Sequence, residues 1–217
     1  MVNMDIFEIF RAAANPEKAV QMSAYMRDLF PFLGIQKPER KKLSGGFMKT
    51  VDKSSVDWPF VFKCWEQPER EYQYLAADYL LKLKPCFTPE DVPHFQTLIT
   101  TKSWWDTVDS LDVLVGDIAA RFPEVNDTLM EWSTDDNFWL RRAAIDHQLA
   151  RKEKTDAGLL ERIIMNNLGQ KEFFINKAIG WSLRDYSKVN PDWVRAFIEN
   201  HRDELSSLSI REGSKYI

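Results

Sequence analysis

Trp105 and Asp109 are the residues of this 217-residue chain whose types and spacing best suit chemistry. They belong to the run Lys102-Ser103-Trp104-Trp105-Asp106-Thr107-Val108-Asp109, and residues four apart on an α-helix share a face. An indole beside a fixed carboxylate suits a flat, cationic ligand, which the ring attracts through its π-face and the carboxylate through its charge. Other chemistries find less support. Asp106, Asp109 and Asp112 recur every third residue, but successive turns spread them around the helix and no set of histidines accompanies them, so no metal site is expected. His94, His147 and His201 are scattered, and no Ser/His/Asp or Cys/His nucleophile system has sequence support. Paired carboxylates for glycoside hydrolysis lack a persuasive second member. Gly45-Gly46 is too isolated to cradle phosphate and no GxxxxGK[ST] pattern exists; this pair is expected to break or bend the third helix.

The elements that must position Trp105 and Asp109 read as helices, because helical periodicity dominates and alternating runs are scarce. Asn15-Pro16-Glu17 has an N-capping residue followed by a proline at the first helical position. The device returns at Gln67-Pro68-Glu69, Thr88-Pro89-Glu90 and Asn190-Pro191-Asp192, with Thr134, Thr155 and Ser206 as further caps. About twelve helices follow, near 3–12, 16–29, 38–50, 55–65, 68–83, 89–100, 104–121, 123–132, 137–151, 156–167, 171–186 and 191–201, with a short terminal one after 208. Four of them resemble one another: EREYQYLAADYLLKLK, WWDTVDSLDVLVGDIAARF, NFWLRRAAIDHQLARK and EFFINKAIGWSLRDY. Aligned, they put Leu75, Asp109, Arg142 and Lys177 at one place in successive units, 34, 33 and 35 residues apart. A period of this length filled by helix pairs marks a HEAT-like or armadillo-like array, in which equivalent positions line one surface. The expected fold is therefore all-α, a curved superhelical solenoid of HEAT-like helix pairs, with residues 1–217 as a single domain. Asp109, Arg142 and Lys177 would face a common groove, and Trp181, one turn beyond Lys177, would close its other side. Trp104 and Trp139 are assigned to packing between helices. Ala76-Ala77, Ala143-Ala144, Ala178 and Gly180 would let helices approach closely.

Composition sets the outer bounds. A chain that is 44% hydrophobic, 13% aromatic and 29% charged is an ordinary globule with enough length to bury a core. Cys64 and Cys86 form neither a metal-ligand spacing nor a disulfide framework, which favours a reducing, intracellular setting. Asp5, Glu8 and Arg11 interrupt the first apolar segment, so no signal peptide is expected, and no apolar run reaches a membrane span. The net charge of -4 argues against a generic basic nucleic-acid binder, although residues 137–217 hold more Lys and Arg than Asp and Glu. Solenoids also bind peptides in their curved face, so a non-catalytic scaffold for DNA structures or a protein partner stands as the competing expectation.

The sequence resembles the bacterial DNA alkylation repair family of HEAT-like-repeat glycosylases, the AlkD-like enzymes, over nearly its whole length. The stretches that carry the resemblance are NPEKAVQMSAYMRDLFPFLGIQKPERKKL, WEQPEREYQYLAADYL, TKSWWDTVDSLDVLVGDI, DNFWLRRAAIDHQL, KEFFINKAIGWSLRDYSKVNP and SLSIREGSKYI, in order. The resemblance implies excision of positively charged N3- and N7-alkylpurines from double-stranded DNA, without flipping the lesion into a deep pocket. It implies Asp109 as the catalytic carboxylate, Trp105 and Trp181 as its partner rings, and Arg142 beside the reactive nucleotide, gripping a phosphate. Tyr25, in QMSAYM, matches the family's tyrosine, although Gln21 departs from its usual context. Lys177, Arg184, Arg211 and Lys215 are candidates for flanking phosphates, and Lys37, Arg40 and Lys41, with Lys42, for the entry side. No cofactor, metal, membrane or obligate protein partner is implied, and the expected location is cytoplasmic, nucleoid-associated when on DNA.

Overall fold

The computed structural model describes residues 5–217, which form thirteen α-helices and, among the described residues, no strand. No described helix is long and apolar enough to cross a membrane. The chain divides into two compact units, Met1–Phe87 and Thr88–Ile217.

The first unit holds α1 (Ile6–Ala12), α2 (Pro16–Tyr25), α3 (Lys37–Thr50), α4 (Trp58–Glu66) and α5 (Arg70–Lys82). Residues 3 and 4 of the expected first helix lie outside the described residues. As expected, Asn15 caps α2, accepting from the Lys18 amide at 3.0 Å, with Pro16 at the first position. That helix stops at Tyr25, short of 29, because Arg27 and Asp28 both take positive φ (57° and 56°). Glycine pair 45–46 neither breaks nor bends off α3, which runs unbroken across both. A Cβ at either position would meet nothing within 4 Å, and the two glycines cost helix propensity without supplying a cause for a break. The core of this unit is aromatic: Phe7 and Phe10 stack on Tyr72 at 5.2 and 5.7 Å. Glu71, fully buried, accepts the amides of Leu33, Gly34 and Ile35 at 2.9, 2.8 and 3.0 Å, fastening the extended segment before α3 onto α5.

The second unit holds α6 (Val92–Thr100), α7 (Trp105–Arg121), α8 (Val125–Trp132), α9 (Phe138–Asp146), α10 (Ala157–Met165), α11 (Phe173–Ser187), α12 (Pro191–Asn200) and α13 (Ser207–Gly213). Caps fix where these start. Asn137 and Asp156, rather than Thr134 and Thr155, receive the first free amides of α9 and α10, whereas Asn190 and Ser206 cap α12 and α13 as expected. α9 ends at Asp146, five residues early, and the chain beyond it turns through positive φ at Ala150 (65°) and Lys152 (55°). Helix α7 packs on α9, α9 on α11 and α11 on α13. Small residues permit the close crossings: a Cβ on Gly116 would lie 2.0 Å from the His147 carbonyl oxygen, and one on Gly180 2.6 Å from the Glu212 Cβ.

The repeat period is written into side-chain bonds between successive helices. Arg142 reaches Asp109 across 33 residues, Arg151 reaches the Gly116 carbonyl across 35, Asn167 reaches the Ser133 carbonyl across 34, and Lys177 reaches Glu212 across 35. Equivalent positions of neighbouring repeats thus touch, as an array with this period requires.

Candidate active site

Trp105 is the first residue of α7 because Trp104, in extended conformation, ends the connection from α6 (φ -161°, ψ 160°). One face of α7, including Val108, Leu111, Val115 and Ile118, is buried, which leaves the Trp105–Asp109 edge at the border of the core. There the side chains of three helices meet in a cleft of about 150 Å³ lined by Trp105, Asp109, Arg142, Phe173, Phe174, Lys177 and Trp181. Trp105, Asp109, Arg142, Lys177 and Trp181 are thus brought together as expected from their repeat positions. Phe173 and Phe174 were not anticipated; they lie at the N-terminal turn of α11, the place Trp139 and Trp104 occupy one and two repeats earlier. Trp104 packs edge-on against Trp139 (5.8 Å) and Phe174 (5.1 Å), so this aromatic column, not a ligand, accounts for Trp104 and Trp139.

Arg142 organises the cleft floor. Its side chain is 1% exposed, and its Nε and Nη2 donate to Asp109 Oδ1 and Oδ2 at 2.8 and 2.9 Å. Nη1 donates to the Phe174 carbonyl at 2.7 Å, and the guanidinium carbon lies 5.2 Å from the Trp181 ring centre. The expectation that Arg142 grips a phosphate does not fit this geometry, since a guanidinium 1% exposed, with three of its N–H groups bonded to Asp109 and Phe174, presents no accessible face to DNA. What it does is hold a carboxylate by two parallel bonds, which fixes the carboxylate plane as well as its position. Asp109 keeps about a quarter of its side chain accessible at the cleft. Burial pushes its carboxyl above the ordinary carboxylate range, and the bond and charge of Arg142 offset only part of that rise. Burial likewise acts to lower the Arg142 pKa, but the negative charges of Asp146 and Asp109 outweigh it, so the guanidinium stays charged.

Two further carboxyls stand behind this pair. Asp112 and Asp146 are each 1% exposed, and oxygens of Asp109, Asp112 and Asp146 all lie within 4.8 Å of one another. The carboxylates of Asp109 and Asp112 were expected to be spread around the helix; Asp112 is instead buried between helices, its oxygens beside those of Asp109. The i,i+4 spacing of Arg142 and Asp146 was the sequence signal for the second.

The cations expected on phosphates divide into two sorts. Lys177 and Arg184 both donate to Glu212, at 2.8 and 2.9 Å, a partner one repeat further on that was not anticipated. Lys177 also lies 5.6 Å from the Trp181 ring centre. Arg211 and Lys215 are exposed. In the first unit Tyr25, Lys37 and Lys41 are exposed, with Tyr25 at 73%, whereas Arg40 is buried, 3.4 Å from Asp78 and over the Tyr74 ring. Arg40 therefore serves the interior of its unit rather than a solvent-facing contact.

A family model described as DNA alkylation repair enzyme matches residues 6–217. A solved structure described as a predicted DNA alkylation repair enzyme from Enterococcus faecalis is 40% identical, with a TM-score of 0.86 over 94% of this chain and 96% of that one. The smu.31 protein of Streptococcus mutans UA159 has a similar fold at 18% identity and a TM-score of 0.62, covering 83% of this chain and 92% of that one. No curated protein matches the chain.

Proposed function

The chain belongs to the DNA alkylation repair enzyme family, and from that membership we propose that it is a DNA glycosylase releasing N3- and N7-alkylpurines from double-stranded DNA. The observation that carries this reading is the Asp109 carboxylate, about a quarter exposed at an aromatic cleft and held by two bonds from a buried guanidinium. Alkylation at N3 or N7 makes the purine cationic, so it leaves with the electron pair of its bond to C1′ without needing a proton. Positive charge then builds on the deoxyribose, and a preorganised carboxylate beside C1′ stabilises it. Water adds at C1′ and gives up its proton, for which Asp109 is the acceptor at hand. Trp105 and Trp181 would pack against the sugar and strand, excluding water and adding attraction for the developing cation. In this proposal Arg142 positions Asp109, and the phosphates fall to Lys177, Arg184, Arg211 and Lys215, with Tyr25, Lys37 and Lys41 serving the first unit. The chemistry needs no metal or cofactor.

DNA carrying N7-methylguanine is the direct test. Wild type should release the methylated base, Asp109→Asn should bind the same DNA but lose at least 100-fold in rate, and Trp105→Ala should fall between them. A folded wild type that binds the DNA and releases nothing would refute the assignment and favour the scaffold.

A further inference from the structure

The base-release step as proposed uses Asp109 and Arg142 but leaves Asp112 and Asp146 without a task. Their surroundings are unusual for carboxyls. Both Asp109 oxygens are occupied by Arg142. Asp146 Oδ1 accepts from Ser182 at 3.2 Å, while its Oδ2 faces Arg142 Nη2 at 3.6 Å, outside hydrogen-bond distance. Neither oxygen of Asp112 has a donor in good hydrogen-bond geometry, the Val113 amide being the one backbone group that acts on it, although the side chain is 99% buried and lies within the cluster. One guanidinium thus faces three carboxyl groups. If all were ionised, two uncompensated negative charges would sit in the interior, at several kcal/mol per ion; carboxyls sharing such a site retain protons instead. Asp112, with no cationic partner of its own, is the one that must stay neutral. Asp146, turned toward Arg142, is the one that can ionise.

We propose that Asp146 is a positioning residue for base release: ionised, it takes up the charge of Arg142 from behind, so that the carboxylate of Asp109 faces the cleft with its negative charge uncancelled, while Asp112 is held as the neutral acid. With Asp146 ionised, Asp109, Asp146 and Arg142 together carry one net negative charge under the developing sugar cation; with Asp146 protonated they carry none. The inference rests on the glycosylase reading for its consequence, but not for the protonation states themselves.

The groups that face the two carboxyls come from three helices. Asp109 lies on α7 and Arg142 on α9; from α11 comes the Ser182 hydroxyl. His147, next in the chain, has its Nδ1 2.6 Å from the Ala144 carbonyl oxygen. Among the described residues, no charged group of α6, α8 or α10, which also pack on α9, is among those acting on either carboxyl. Burial lifts Asp112 well above the ordinary carboxylate range, with Asp146 and Asp109 adding to it. Burial lifts Asp146 to about 7, with Arg142 opposing. As the groups interact, these are properties of the cluster.

Two measurements separate this inference from the reading beneath it. The first uses no DNA: carboxyl-13C-labelled aspartate NMR of the intact protein across pH 4 to 9. One buried carboxyl should remain protonated through neutrality and vanish in Asp112→Asn, and a second should titrate near 7 and vanish in Asp146→Asn. If all aspartates titrate below about pH 5, or if Mg2+ or Ca2+ shifts the Asp112 signal, the inference is overturned whatever the protein does to DNA. The second is the pH profile of N7-methylguanine release under single-turnover conditions. Wild type should gain about tenfold in rate as pH rises through about 7, and Asp146→Asn should lose that rise while still melting cooperatively. Retention of the rise in Asp146→Asn overturns the positioning role. The expected NMR titration in a protein that releases no base would refute the glycosylase reading, and with it the role, while the protonation states stand.

Discussion

At Arg142 a single side chain ties three successive repeats, reaching Asp109 on α7 and the Phe174 carbonyl of α11 from its own place on α9. Lysine cannot reproduce this, because its ammonium offers no planar fork to a carboxylate. Arg142→Lys should therefore slow N7-methylguanine release by tenfold or more and lower stability by about 3 kcal/mol, as when a buried ion pair loses its match; single-turnover rates and urea melts check the two effects. Glu71 plays a purely structural part, with three amides on one buried carboxylate. Bonds to a charged group are worth about 1.5–3 kcal/mol each, so Glu71→Gln, which keeps the shape but loses the charge, should cost about 2 kcal/mol in denaturant unfolding. The Trp105–Asp109 pairing was legible in the sequence because both residues ride on one helix, where spacing alone decides who shares a face. Asp112 was not, since its burial is decided by what α9 places opposite it.

Among the helices, close approach is set by two glycines. At Gly116 an added methyl would meet the His147 backbone oxygen, which has no side-chain freedom with which to yield. Gly116→Ala should accordingly cost about 2–3 kcal/mol, in the range of overpacking, read as a lowered urea midpoint with an unchanged slope. Between α11 and α13, Glu212 sets one carboxylate between two cations, accepting from Lys177 and Arg184. Glu212→Gln should release both cations for phosphate, tighten DNA binding at low salt, and steepen the dependence of log K on log salt by about 1 to 2, at about 0.9 per added phosphate contact. A fluorescence-anisotropy salt titration checks it, and an unchanged slope would mean that removing the Glu212 charge adds no phosphate contact. The helix starts at Asn15-Pro16 and Asn190-Pro191 were readable residue by residue, whereas Gln67, expected to open a helix, instead ends α4, and α5 begins at Arg70 with no capping side chain. The ends of α2 and α9 were not readable, because apolar periodicity carries on past the left-handed residues that turn the chain away. The glycine pair in α3 misled in the opposite direction: a weak helix former was taken for a breaker, though the rest of α3 suffices to carry the helix across it.

For the molecule as a whole, pH acts on buried groups of opposite habit. Burial holds His147 down at about 3 against an ordinary value of 6.5, so the unfolded chain binds the proton first and stability falls on acidification through that interval. Asp146 is lifted from 3.8 to about 7, so the folded chain keeps its proton longer, and stability is gained on acidification between about 7 and 4. The two slopes oppose one another between about pH 4 and 6.5. Asp146→Asn should leave the histidine slope alone, and its melting temperature should drop more steeply than that of wild type as pH is lowered through this interval. The repeat architecture was visible in the sequence as a period near 34 residues, since equivalent positions of each unit must meet equivalent neighbours. The sequence did not reveal that the candidate cleft is held together by bonds along that same period. A repeat protein can ordinarily lengthen by copying a unit anywhere in its array. Here a copy inserted between Asp109 and Arg142 would strand the carboxylate one layer away from its guanidinium, so gene duplication can extend this chain at either end but not through its middle.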